Sequence, residues 1–162
     1  MRFAKGHGTG NDFVILPDLD DELKLTPALV SALCDRHTGI GADGVLRVAL
    51  GDGVPWFMDY LNADGSVAEM CGNGIRVFAR YLTDHKLATG PDLAIGTRSG
   101  VRQVRWDGDE LFRVDMGPAV IVAEGDVDPR WLRAVDPGLS AAAGLGDAES
   151  DRDDGPAGGG AE

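Results

Sequence analysis

The sequence predicts an α+β fold, a curved antiparallel or mixed sheet wrapped around one central buried helix. Strand-like runs follow one another across short turns, as at 92–98, 100–106 and 111–116, the pattern of an antiparallel sheet. The segment from about Asn73 to His85 carries apolar residues on nearly every side, as a buried helix does. A length of 162 residues with 43% hydrophobic content fits one domain with a sizeable core.

Each element has its own local reason. "DFVIL" (12–16) reads as a short buried strand stopped by Pro17. "TPALVSALCDR" (26–36) reads as a helix with Thr26 as N-cap and Pro27 at the first helical position. Leu29, Val30, Leu33 and Cys34 share one side of it. The glycine-rich "GIGADG" turns into the strand "GVLRVAL" (44–50), "PWFMDYL" (55–61) is strand-like, and "NADGS" (62–66) is a strong turn. The second helix places Ile75, Val77, Phe78, Ala79, Tyr81 and Leu82 around its circumference. His85 and Lys86 sit in its last turn, and Gly90-Pro91 closes the connection. The closing strands are "DLAIGTR", "GVRQVRW" and, after the turn "DGDE", "LFRVDM".

The charge is unevenly spread. Of a net charge of −12, about half falls between Asp136 and Glu162, where seven acids face one arginine and no Ile, Val, Phe, Met, Trp or Tyr occurs. Such a segment cannot offset its ordering entropy by burial and is expected to be disordered. The chain therefore divides into a folded domain at 1–127 and an acidic Gly/Ala-rich tail at 128–162. The negative balance argues against nucleic acid or an anionic membrane as partner. No apolar run reaches the length of a membrane span, and "MRFAKGHGTGNDF" lacks the apolar stretch of a signal peptide. Two cysteines make no disulfide framework, so the cytoplasm is the expected compartment.

"AEMCGNGIR" (68–76) carries the candidate chemistry. Cys71 directly precedes the buried helix, where the backbone N–H groups of Gly72, Asn73 and Gly74 lack intrahelical partners. These amides and the helix dipole would stabilise a thiolate, and the same amides could hold a carboxylate or phosphate. The plainer alternative is a small residue filling a gap in a tight turn. Cys34 falls on the apolar side of the first helix, where core packing explains it, and the lone C-x-x-H pair with His37 makes no zinc site. "GHGTGND" (6–12) precedes a strand rather than a helix, so it is no nucleotide loop. It is either a turn or a bend that presents His7 or Asn11 to a pocket. Asn62 in "NADG" admits the same two readings. The pairs Asp43/Asp64 and Asp59/Glu69 look more like solvated loop acids than catalytic carboxylates.

Together, "KGHGTGNDFV", "HTGIGADGVL", "NADGSVAEMCGNGIRVFARYL" and "VDMG" closely resemble the N-terminal half of diaminopimelate epimerase, in order and spacing as well as in residues. The match covers residues 1 to about 120, and the M-C-G-N-G-I-R segment is highly specific. A related racemase usually carries His after C-G, and another family of the fold replaces the Cys with an acid. The resemblance implies an isomerase that interconverts LL- and meso-diaminopimelate on the route to lysine and peptidoglycan, with neither metal nor pyridoxal phosphate. It implies two similar α/β halves, each a sheet around a central helix, with substrate between them. It makes Cys71 one of two catalytic thiols, Gly72 and Asn73 the carboxylate seat, and Asn11 and Asn62 substrate contacts. Some members carry Gln at the position of Gly44, a contact absent here.

Inverting a carbon centre without an electron sink requires one group on each face, one as thiolate and one as thiol. The family's second cysteine lies near an A-C-G-T-G segment that this sequence does not contain, nor does it contain the family's G-N-P-H stretch. From about Asp128 the resemblance stops. The expectation is a truncated or partner-dependent half, inactive alone, with a second half-chain or a homodimer as candidate partner. Its uncovered cleft face would favour poor solubility or dimerisation. Two alternatives are a two-base racemase of the same fold acting on another amino acid, and a non-catalytic, vestigial binding half-domain.

Overall fold

In the computed structural model, residues 1–108 and 111–117 are described, and the domain boundary at 127 and the tail at 128–162 lie outside them. Among these residues the chain runs β1 (Ala4–Gly8), β2 (Asn11–Pro17), α1 (Pro27–Cys34), β3 (Gly44–Leu50) and β4 (Trp56–Asn62). It continues through β5 (Val67–Ala68), α2 (Gly72–Asp84), β6 (Asp92–Thr97), β7 (Gly100–Trp106) and β8 (Phe112–Val114). One sheet joins them in the order β1-β2-β3-β4-β6-β7-β8, with β5 attached to β4. None of these helices is long and apolar enough to cross a membrane.

The sheet is mixed, and the connections explain why. Hairpin neighbours pair antiparallel, whereas β2 with β3 and β4 with β6 pair parallel. Each parallel pair is bridged by a helix, α1 in the first case and α2 in the second, because a parallel step needs a crossover.

The helices cover opposite faces. Phe13 and Ile15 of β2 join Leu46, Val48 and Met58 beneath Ile75, Phe78 and Leu82 of α2. Val14 and Leu16 point the other way, to Val45, Leu61 and Val30 of α1. The unbroken apolar run "FVIL" is thus a strand buried on both sides. α2 touches both edge strands, β1 and β8, as well as β2, β3 and β4. The expected burial on nearly every side is narrower in fact. Asn73, Arg76, Arg80 and Asp84, three or four residues apart, form a strip that the sheet leaves partly uncovered.

β1 is the element that composition hides. Gly6 and Gly8 weaken its strand signal, yet both are needed where β1 lies on α2. A Cβ on Gly6 would meet Val77 Cγ1 at 2.8 Å, and one on Gly8 would meet Val77 Cγ2 at 2.9 Å and the Asn73 carbonyl at 3.2 Å. The Thr9-Gly10 turn, with φ of 51° and 88°, is the two-residue type that suits a twisted hairpin. α1 starts as expected, with Thr26 Oγ1 accepting from the Leu29 N–H at 3.3 Å, but Leu29 itself is exposed.

Candidate functional site

Strand directions gather the candidate residues at one end of the sheet. β2 and β3 both begin there and β4 ends there, so Phe13, Gly44 and Asn62 stand in one row. Asn11 opens β2 just ahead of that row. The start of α2 arrives at the same end, where a Cβ on Gly74 would lie 3.5 Å from Phe13 Cζ and 3.3 Å from Leu46.

Cys71 is the N-cap of α2, with extended backbone at φ −140° and ψ 119°. Its Sγ accepts from the Gly74 N–H at 3.3 Å, and its carbonyl accepts from the Ile75 N–H at 2.9 Å. The thiol therefore already takes one of the amides expected to be open. Those of Gly72 and Asn73, the first two of the helix, keep no intrahelical acceptor. Cys71 is half-buried and packs with Met70 against the α2-side core. Met116, from "VDMG", stands over the same turn, its Cε 3.5 Å from where a Cβ on Gly72 would sit.

Asn73 Nδ2 donates to Asn11 Oδ1 at 2.8 Å, and Asn11 Nδ2 donates to Asp43 Oδ2 at 3.1 Å. The Asp12 N–H donates to the same Asp43 oxygen at 3.0 Å. Arg76 donates to Thr9 Oγ1 at 2.9 Å and also to Asn73 Oδ1. Arg36 forks onto Asp12 at 2.7 and 3.0 Å and reaches Asp43 Oδ1 at 2.7 Å. Its guanidinium, helped by Lys5 and against the effect of burial, holds the Asp12 carboxyl well below the usual carboxylate range. Asp12 and Asp43 raise Arg36 in return.

Of the residues singled out from sequence, Asn11, Cys71, Gly72 and Asn73 come together. Asn62 reaches the same sheet end, but its Nδ2 donates to Ser66 Oγ at 3.0 Å within its own turn. His7 is exposed on β1. Cys34 is 4% exposed on the α1 face, and burial pushes its thiol up. Asp64 caps its own turn through the Ser66 N–H at 2.8 Å, as a loop acid does. Asp59 is no solvated loop acid: it is 6% exposed in β4 and accepts from Arg47 at 3.2 Å and Arg98 at 2.6 Å.

Four residues given no site role from sequence also belong to this end of the sheet: Arg76, Met116, Tyr60 and Asp43, which is no solvated loop acid but accepts from Asn11, the Asp12 N–H and Arg36. Burial first, then the nearby Cys71 and Asp43, push the Tyr60 phenol up. Tyr60 Cε2 lies 2.7 Å from where a Cβ on Gly44 would stand, so its ring fills the space beside that glycine. Alternation along "WFMDYL" puts Trp56, Met58 and Tyr60 on one face, and that alternation is the signal available for Tyr60.

A sequence model of diaminopimelate epimerase matches residues 3–122. The chain belongs to the diaminopimelate epimerase family. It is 56% identical over 139 residues to the diaminopimelate epimerase of Thermobifida fusca (strain YX), covering 77% of this chain and 51% of that protein. With the diaminopimelate epimerase of Streptomyces coelicolor it shares 52% identity over 138 residues, 79% of this chain and 47% of the relative. The chain thus spans about half the length of these relatives. Among solved structures, methylitaconate-delta-isomerase superposes with a TM-score of 0.52 at 11% identity, covering 76% of this chain and 38% of that one. That likeness is one of fold.

Proposed function

We propose that this chain supplies the Cys71-bearing half of a diaminopimelate epimerase site, which interconverts LL- and meso-diaminopimelate by proton transfer without metal or pyridoxal phosphate. The observation that carries the reading is the α2 start, where a half-buried thiol, two helix-end amides and the Asn73–Asn11 pair share one rim of the sheet. A substrate carboxylate seated on the Gly72 and Asn73 amides would meet fixed positive dipoles. That contact strengthens as charge develops at the neighbouring carbon, which lowers the barrier to removing its proton. Cys71 Sγ takes or returns that proton on one face. Asn62 adds a substrate contact from the end of β4 once its amide leaves Ser66.

Inversion needs a second group on the other face. Cys34 does not serve, because it is buried on the opposite side of the sheet. The second thiol therefore comes from outside residues 1–162, with a half-chain or another copy as candidate sources. The cytoplasm keeps both thiols reduced.

The test is substrate α-proton exchange in deuterated water with LL-diaminopimelate. The chain by itself is expected to show neither exchange nor conversion. Adding the remaining half of the Thermobifida fusca relative as a separate polypeptide is expected to produce exchange that Cys71→Ala abolishes. Conversion by the chain alone would refute the partner requirement, and a mixture without exchange would refute the catalytic reading.

A further inference from the structure

We infer that Asp43, clamped by Arg36, is a positioning residue that fixes which way the side-chain amides of Asn11 and Asn73 point. Oxygen and nitrogen of an amide have nearly the same shape, so packing alone does not choose between the two orientations. Here the ends of the chain of bonds choose. The Asp43 carboxylate, held by Arg36 at 2.7 Å and by the Asp12 N–H at 3.0 Å, only accepts, so Asn11 must turn its NH2 toward it. Asn11 Oδ1 is thereby left facing Asn73 and accepts from its NH2 at 2.8 Å. Asn73 Oδ1 then faces Arg76, which only donates.

Every bond thus runs in one direction, from Arg76 through Asn73 and Asn11 to Asp43. Opposite charges at the two ends make any reversed member clash, donor to donor or acceptor to acceptor. The consequence lies at the α2 start. The second N–H of Asn73 stays a donor while its Oδ1 is taken by Arg76, so the Asn73 side chain adds a donor and no open acceptor to the helix start, as a carboxylate requires. Asp43 sits two bonds away from that seat and acts through Asn11. An asparagine in place of Asp43 would have the same shape but could also donate, and the direction of the chain would be lost.

The ligand part of this inference rests on the proposed function; the amide part does not. The variant is Asp43→Asn, read in two ways. The first is the side-chain NH2 signal of Asn73 in a nitrogen–proton NMR spectrum, assigned with Asn73→Ser. It is expected to shift or double in Asp43→Asn while backbone signals of α1 and β7 stay in place. An unchanged Asn73 signal in the folded variant overturns the proposal. The second reading is protection of Cys71 from iodoacetamide by diaminopimelate. Losing a charge-assisted hydrogen bond is expected to raise the half-protecting concentration roughly tenfold to hundredfold. Equal protection in variant and wild type counts against the inference. Wild type left unprotected at every concentration sinks the ligand reading, and the amide signal then decides the positioning role.

If Asp43→Asn does not fold, Asp43→Ser, whose hydroxyl likewise donates as well as accepts, is read in the same way. Its Asn73 side-chain signal should also shift or double. An unchanged Asn73 signal in that folded variant overturns the proposal.

Discussion

Replacing Arg47 with methionine tests the buried charge cluster toward the far end of β2 from Asn11. Arg47 Nη1 donates to Asp18 at 2.9 Å and to Asp21 at 2.7 Å, and Nε donates to Asp59 at 3.2 Å. The Asp18 and Asp59 side chains are only 4% and 9% exposed, whereas Asp21 is 82% exposed and adds little. Removing one partner of a buried pair costs roughly 3–5 kcal/mol, since it strands the other charge. Two features place this site at the low end. Asp59 keeps Arg98 at 2.6 Å, and Asp18 keeps the Glu22 and Leu23 amides at 2.9 and 3.2 Å. The expected loss is about 3 kcal/mol at neutral pH.

The pH dependence supplies a second check. Burial alone would raise the Asp18 carboxyl, but the Glu22 amide, Arg47 and the Leu23 amide outweigh it and hold it below its ordinary 3.8. A folded value below the unfolded one means stabilisation that is complete above pH 3.8 and lost as pH falls through the folded value. Arg47→Met brings the two values closer, so the gap between variant and wild type should shrink in acid. Urea unfolding at neutral pH and again below pH 3.8 measures both effects. A neutral-pH difference within about 0.5 kcal/mol, or a gap that stays constant in acid, would refute the reasoning.

Gly8→Ala should destabilise by roughly 1–3 kcal/mol, because its methyl meets the Asn73 carbonyl, a backbone atom that cannot step aside. Gly6→Ala should cost less, since it meets only Val77 and Ile15 side-chain atoms; equal urea midpoints for the two variants would contradict this. Under native conditions iodoacetamide should modify the half-buried Cys71 before the buried Cys34, as read by peptide mass mapping. Modification of both at one rate would count against the burial argument.

Much of this fold and site can be read from the chain because local and tertiary signals agree. Thr26-Pro27 starts α1, and "CGNG" starts α2 at Cys71, where two glycines and a capping thiol suit a helix end. What stays hidden depends on residues brought together from afar. β1 carries glycines for the sake of α2, far along the chain, and no local pattern shows that need. Asp59 misleads because "MDYL" beside a strong turn looks solvated, whereas its partners Arg47 and Arg98 lie on other strands or beyond them. Parallel pairing follows from crossover connections rather than from the strands' own composition. Asp43 shows only as one acid in a glycine-rich turn, and its use emerges from the Asn11–Asn73 pair.

The placement of the two cysteines decides what one chain can do. Cys34 packs with Val14, Leu16, Val45 and Leu61, while Cys71 packs against the cluster under α2. β2, β3 and β4 lie between those clusters, and neighbouring strands about 4.8 Å apart leave no passage for a side chain. Short of unfolding, the two thiols cannot flank one substrate carbon, nor can they form a bond with each other. Mild oxidation of the native chain should therefore give disulfide-linked dimers through Cys71 and no Cys34–Cys71 linkage within a chain. Non-reducing electrophoresis with peptide mapping reads this directly. Cys34→Ala should leave the dimer band intact, and Cys71→Ser should remove it. An intramolecular Cys34–Cys71 disulfide formed without denaturant would mean that both thiols can reach one face, and the need for a thiol from outside residues 1–162 would fall with it.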